Sequence, residues 1–147
     1  MDNQLKSNAS AQPAIVFVTA DEVSCADLIA EFTSKGYEIN VVKDGTKAIG
    51  LPAIKPKTWK PSIFFIDLVI PGEGGFFVTK LVRDRYPDKK IPIILFAQHI
   101  APEDKMESAQ LGALGLLSKP LNVDAVREIL DKERARRAKA ENGGVAV

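Results

Sequence analysis

The stretch Ile63-Phe64-Phe65-Ile66-Asp67-Leu68-Val69-Ile70-Pro71-Gly72-Glu73-Gly74-Gly75 decides the fold. It opens with an uninterrupted apolar run, turns acidic at Asp67, and passes into a loop marked by Pro71, Gly72, Gly74 and Gly75. A run without polar alternation suits a strand buried on both faces, as in the interior of a parallel sheet. In open parallel sheets, sites form at the C-terminal ends of the strands, where Asp67 stands.

Similar runs lie on either side. Ala14-Ile15-Val16-Phe17-Val18-Thr19 precedes it, Ile91-Pro92-Ile93-Ile94-Leu95-Phe96 follows, and Gly115-Leu116-Leu117 is a weaker fourth. Glu38-Ile39-Asn40-Val41-Val42 alternates and suits an edge strand. Helical patterns fill the intervals. Ser24-Cys25-Ala26-Asp27 has the form of a capping box with Asp in the fourth place; Leu28, Ile29 and Phe32 share a face, and Gly36 closes that helix. Phe77, Val78, Leu81 and Val82 repeat at helical spacing, with one of Phe76 and Phe77 expected in the core and the other partly exposed. Pro102 suits the first position of a helix carrying Met106, Ala109 and Gln110, and Asn122 caps a last one with Val123, Val126, Ile129 and Leu130 on its buried face. A second helix starts near Thr46 but is expected to break at Pro52 and Pro56, leaving residues 52–61 as an irregular insert in which Trp59 packs on the sheet edge. The alternation implies an α/β fold: right-handed crossovers and a doubly wound parallel sheet with helices on both faces.

Composition excludes several classes. Hydrophobic residues at 46% and charged residues at 27% belong to a globular chain, not a disordered one. A net charge of +1 offers no field for nucleic acid or an anionic membrane. The single Cys25 and single His99 rule out a disulfide framework and a cysteine or histidine metal cluster. No membrane-length apolar run or signal peptide is present, so the expected compartment is the cytoplasm. Residues 1–13 read as a disordered leader, 14–131 as the domain, and 132–147 as a basic helical extension with a flexible tail.

Asp67 and Lys119, at the ends of the third and fifth strands, can reach one crevice. A carboxylate can attack phosphorus to give an acyl phosphate, and phosphoryl transfer needs cations to neutralise the phosphoryl oxygens. Taken singly, Asp67 reads more readily as a turn cap and Lys119 as an exposed lysine before Pro120.

Together, Ile66-Asp67-Leu68-Val69-Ile70-Pro71-Gly72, Gly75-Phe76 and Lys119-Pro120 resemble the receiver domain of bacterial two-component response regulators, over about residues 14–131. That resemblance implies a flavodoxin-like five-stranded sheet in the order 2-1-3-4-5, a phosphoacceptor at Asp67, a phosphoryl-contacting Lys119 and a cis Lys119-Pro120 bond. It further implies a signalling role rather than an enzymatic one, in a phosphorelay, through contacts with a histidine kinase or another signalling protein. The residues after 131 are too few for a DNA-binding output domain.

Three places depart from the family pattern. Thr19 and Ala20 stand where two acids usually hold magnesium; Asp21 takes the second acidic place only if the first helix is one residue short. Magnesium held by Asp67, with Asp21 at most, is therefore expected to bind weakly. Ala97 replaces the family's Thr or Ser, and Leu116 replaces its aromatic switch. The alternative function is a pseudo-receiver that binds partners independently of phosphorylation. A flavodoxin-type cofactor protein fits less well, because Thr19-Ala20-Asp21-Glu22-Val23-Ser24 has no glycine and two acids that repel phosphate.

Overall fold

Strand β1, Ala14–Val18, is buried at every residue and sits between two others: β2, Glu38–Val42, and β3, Pro61–Asp67. This is the computed structural model of the chain, and it describes residues 13–88 and 90–146. The leader expected over 1–13 lies outside those residues except for Pro13. Strands β4, Ile93–Ala97, and β5, Gly115–Ser118, complete a parallel sheet in the order β2-β1-β3-β4-β5. Helices α1 (Ala26–Ser34), α2 (Gly45–Ile54), α3 (Gly75–Arg85), α4 (Pro102–Gln110) and α5 (Val123–Ala146) connect or follow the strands. Among the described residues, no helix is long and apolar enough to cross a membrane.

Alternate residues of each strand point to opposite faces, so the unbroken apolar runs build two cores. Val16, Val18, Phe64, Ile66, Ile93 and Leu95 pack with Ala48 and Leu51 of α2 and Val78 and Val82 of α3. On the other face, Ile15, Phe17, Ile63, Phe65, Ile94 and Phe96 meet Leu28 and Phe32 of α1 and Val126 of α5. Phe17 and Phe65 stack there with ring centroids 4.8 Å apart. Phe76 is partly buried against the first core and Phe77 is exposed, one in and one out as the pattern suggests.

Two local expectations need correction. The Ser24-Cys25-Ala26-Asp27 capping box does not form. Ser24 is buried in a 3-10 turn, Glu22–Cys25, and its hydroxyl donates to the Asp21 carbonyl at 2.8 Å; Cys25, ahead of α1, makes no side-chain cap. Nor does Pro52 break α2, which runs unbroken from Gly45 to Ile54. A proline inside a helix removes the hydrogen bond to the carbonyl four residues back, here that of Ala48. The Tyr86 hydroxyl donates to that same carbonyl at 2.8 Å, in a buried position. Tyr86 thus replaces the hydrogen bond that Pro52 cannot make, and burial pushes its phenol up to about 12. Tyr86→Phe should cost about 1–3 kcal/mol in urea unfolding, the range for orphaning a buried polar group. Adding Pro52→Ala should return much of that loss, because the helix can then satisfy Ala48 itself; two purely additive effects would disprove the coupling.

The rest of the 52–61 segment ties to the sheet edge. Trp59 Nε1 donates to Glu38 Oε2 at 2.9 Å, and the Lys55 ammonium reaches the same oxygen at 3.1 Å while lying 5.9 Å from the indole centroid. Asn122 caps α5 as expected, its Oδ1 accepting from Ala125 N–H at 2.9 Å. The helix continues through the basic stretch, where Glu133 accepts from Arg136 and Arg137 and is held down at about 2 by those bonds, chiefly Arg136. Arg137 also donates to the Lys90 carbonyl.

Candidate functional site

The sheet order puts the ends of β1 and β3 side by side, with Val18 opposite Ile66. The next residues, Thr19 and Asp67, are each only 1% exposed. Thr19 Oγ1 donates to Asp67 Oδ2 at 2.7 Å and accepts from the Asp21 backbone N–H at 2.9 Å. Asp67 Oδ1 accepts from Val69 N–H at 3.0 Å, which turns the chain out of β3.

Lys119 follows β5, and its backbone N–H donates to the Ala97 carbonyl at 3.0 Å. The Lys119–Pro120 peptide is cis. The lysine stem crosses the end of β4, with Nζ 5.7 Å from the Phe96 ring centroid. Nζ then lies 2.8 Å from Asp67 Oδ2 and 3.1 Å from Asp21 Oδ2. The reading of Lys119 as an exposed lysine therefore fails: its side chain is 13% exposed. Burial works against its charge, but the Asp67 and Asp21 carboxylates outweigh burial and hold it above the ordinary lysine value. The bond to Lys119 draws Asp21 below the ordinary aspartate value.

The loop after β3 is held from two directions. Gly75 N–H donates to the Leu68 carbonyl at 2.8 Å, and Glu73 Oε2 accepts from Gly45 N–H, the first residue of α2, at 2.9 Å. A Cβ on Gly75 would lie 2.3 Å from the Asp67 carbonyl oxygen, so only glycine lets α3 begin against the end of β3.

The donor set is a sparse one for magnesium, with two carboxylates and no acid at Thr19 or Ala20. Hard divalent cations take oxygen ligands, usually several carboxylates, carbonyls and waters. Asp67 and Asp21, the two metal candidates, converge instead on one ammonium, and Ala20 is exposed and has no side-chain oxygen. Among the described residues, no group of three or more His, Cys, Asp or Glu side chains could hold a metal. What the arrangement supplies is a buried carboxylate with a cation and a hydroxyl donor already on one of its oxygens.

The residues read from the sequence thus meet, with one partner missed. Thr19 reads along the chain only as a missing acid, whereas in the fold it donates to Asp67. The signal was the adjacency of the first and third strands, which brings their two C-terminal residues together. Ala97 is buried and Leu116 partly buried against the first core, so neither a hydroxyl nor a ring stands at those places. His99 is exposed after β4.

A family model described as the response regulator receiver domain matches residues 15–131. The response regulator PleD of Caulobacter vibrioides is 26% identical over 141 residues, covering 89% of this chain and 30% of the relative. The chain thus spans about a third of that curated relative's length. The chemotaxis protein CheY4 of Vibrio cholerae is a structural neighbour at 25% identity, covering 82% of this chain and 98% of the other, with a TM-score of 0.65. A response regulator from Burkholderia pseudomallei, determined with a phosphorylated aspartic acid and a calcium ion, shares the fold: TM-score 0.69, 18% identity, 88% of this chain and 73% of the other.

Proposed function

The chain belongs to the response regulator receiver domain family, and from that membership we propose that it is a cytoplasmic signalling module whose phosphoacceptor is Asp67. The observation that carries this reading is the Lys119 ammonium 2.8 Å from a buried Asp67 carboxylate at the end of the third strand. In the step proposed, an Asp67 carboxylate oxygen forms a bond to the phosphorus of a phosphodonor. The donor's bond to that phosphorus breaks, and the leaving group departs with the electron pair. Lys119 offsets the charge on the phosphoryl oxygens, and Thr19 orients the carboxylate. The upstream donor in this reading is a histidine kinase or a phosphorelay partner, and the downstream effect is a protein–protein contact.

Incubation with acetyl phosphate followed by intact-mass measurement tests it. Wild type should gain the mass of one phosphoryl group and Asp67→Asn should gain none. Equal labelling of the two would remove Asp67 from the role.

A second reading, a pseudo-receiver whose binding is indifferent to phosphate, draws support from Ala97 and Leu116. A modification shifts an equilibrium only through unequal interaction with its two states, and neither residue offers the hydroxyl or ring for that. The partner surface in this reading is preformed around Met106, Gln110, Leu116 and Val123, of which Met106 is 66% exposed. It predicts partner affinities that differ little between wild type, Asp67→Asn and phosphodonor-treated protein. A gain of about a hundred-fold on labelling, near the top of ordinary allosteric coupling, would return the surface to a phosphate switch.

A further inference from the structure

We infer that the Asp67 site works without a divalent metal, with Lys119 as its resident cation and the Thr19 hydroxyl in a metal ligand's place. The inference rests on the reading of Asp67 as the acceptor.

The carboxylate oxygens nearest the crevice are already engaged by protein donors. Asp67 Oδ2 takes the Thr19 hydroxyl at 2.7 Å and the Lys119 ammonium at 2.8 Å, and Oδ1 takes Val69 N–H at 3.0 Å. The Thr19 oxygen itself accepts from Asp21 N–H at 2.9 Å. Asp21 Oδ2 faces the same ammonium at 3.1 Å. A divalent ion on Asp67 Oδ2 would therefore stand beside a positive charge that cannot move away without abandoning two carboxylates. Ala20, next along the loop, brings no oxygen on its side chain.

Charge count and geometry agree. Two carboxylates and one ammonium leave a single net negative charge, a weak attraction for a magnesium ion that keeps most of its own waters. An ammonium carries three donor hydrogens; two serve Asp67 and Asp21, and the third is free to meet a phosphoryl oxygen. In acetyl phosphate labelling, Asp67 forms the new oxygen–phosphorus bond and acetate leaves with the electron pair of the broken one. The positive charge beside the phosphoryl group throughout is that of Lys119.

The test uses the full chain and two readouts. In the first, the amide resonances of Asp67 and Val69 are followed as magnesium is raised to millimolar levels, with manganese broadening as a second probe. Wild type should show no saturable change. Ala20→Asp, at an exposed position, and Thr19→Asp/Ala20→Asp should acquire one. In the second readout, acetyl phosphate labelling is followed by intact mass in magnesium and in EDTA, and the rates should be equal.

Saturable magnesium binding by wild type would overturn the inference. So would titration in neither variant, because the missing acids would then not be what excludes the ion. Labelling in magnesium but not in EDTA would also overturn it while leaving Asp67 as the acceptor. No labelling under either condition would end the acceptor reading and the inference with it, whatever the titration shows.

Discussion

Lys119→Ala should lower the unfolding free energy by about 3 kcal/mol at neutral pH, the low end of what removing one partner of a buried ion pair costs. The magnitude follows from burial. An exposed lysine in an ion pair contributes about 0–1 kcal/mol, but this ammonium is 13% exposed and faces a carboxylate that is 1% exposed. Alanine leaves the Asp67 charge buried with only the Thr19 hydroxyl and Val69 N–H for company. Adding Asp67→Asn removes that stranded charge at nearly constant shape, so the double variant should recover part of the loss. If Lys119→Ala unfolds within about 0.5 kcal/mol of wild type, as ordinary surface substitutions do, the pair contributes nothing.

The pH profile gives a second check. Lys119 is raised in the folded state, so its contribution is complete below the ordinary lysine value and fades as pH rises through the raised one. Asp21 is lowered, so its contribution is present above the ordinary aspartate value and fades as pH falls through the lowered one. Both arms should be shallower in Lys119→Ala than in wild type.

Gly75→Ala should be at least as damaging. The added Cβ would meet the Asp67 carbonyl oxygen at 2.3 Å, the Leu68 Cα at 2.5 Å and the Asp67 carbonyl carbon at 2.9 Å. All three are backbone atoms, and none can rotate away. Relief requires α3 to move off the end of β3, at a cost of about 3 kcal/mol, the upper end of ordinary overpacking. In a domain of this size that is a fall of about 10 °C in Tm. The same shift displaces Asp67, so labelling by acetyl phosphate should fall with stability. Gly50→Ala is the control. It lies within α2 with nothing within 4 Å of the added Cβ, and should stabilise the protein by about 0.5–1 kcal/mol. A Gly75→Ala protein with wild-type Tm and labelling would show that this close approach is not required.

How far the sequence reveals these features depends on the distance over which each is determined. The strands are legible because their burial is written into consecutive residues: Ile63 to Ile66 need no partner to be recognised as apolar on both sides. The Asp67 and Lys119 pairing is legible because both stand at strand ends that open on one crevice. Pro52 misleads because its remedy, the Tyr86 hydroxyl, belongs to the end of α3 and reaches α2 only in the folded chain. Ser24 misleads because a cap and a 3-10 turn use the same residue types, and packing chose the turn. The depth of Lys119 is invisible for a similar reason: proline after lysine suggests a loop, while Phe96 and two carboxylates cover it from other strands.

The attachment of Trp59 to Glu38 has a spectroscopic consequence. It is the chain's single tryptophan, and it precedes β3, whereas Asp67 ends that strand. At about 3.3 Å per residue, the strand separates the indole from the carboxylate by about 20 Å. Intrinsic fluorescence therefore reports on the edge formed by β2 and the Lys55 loop, and it loses its environment when that edge opens. It is deaf to chemistry at the far end of the sheet. A flat emission trace during phosphodonor treatment would describe the position of the fluorophore and say nothing of the fate of Asp67.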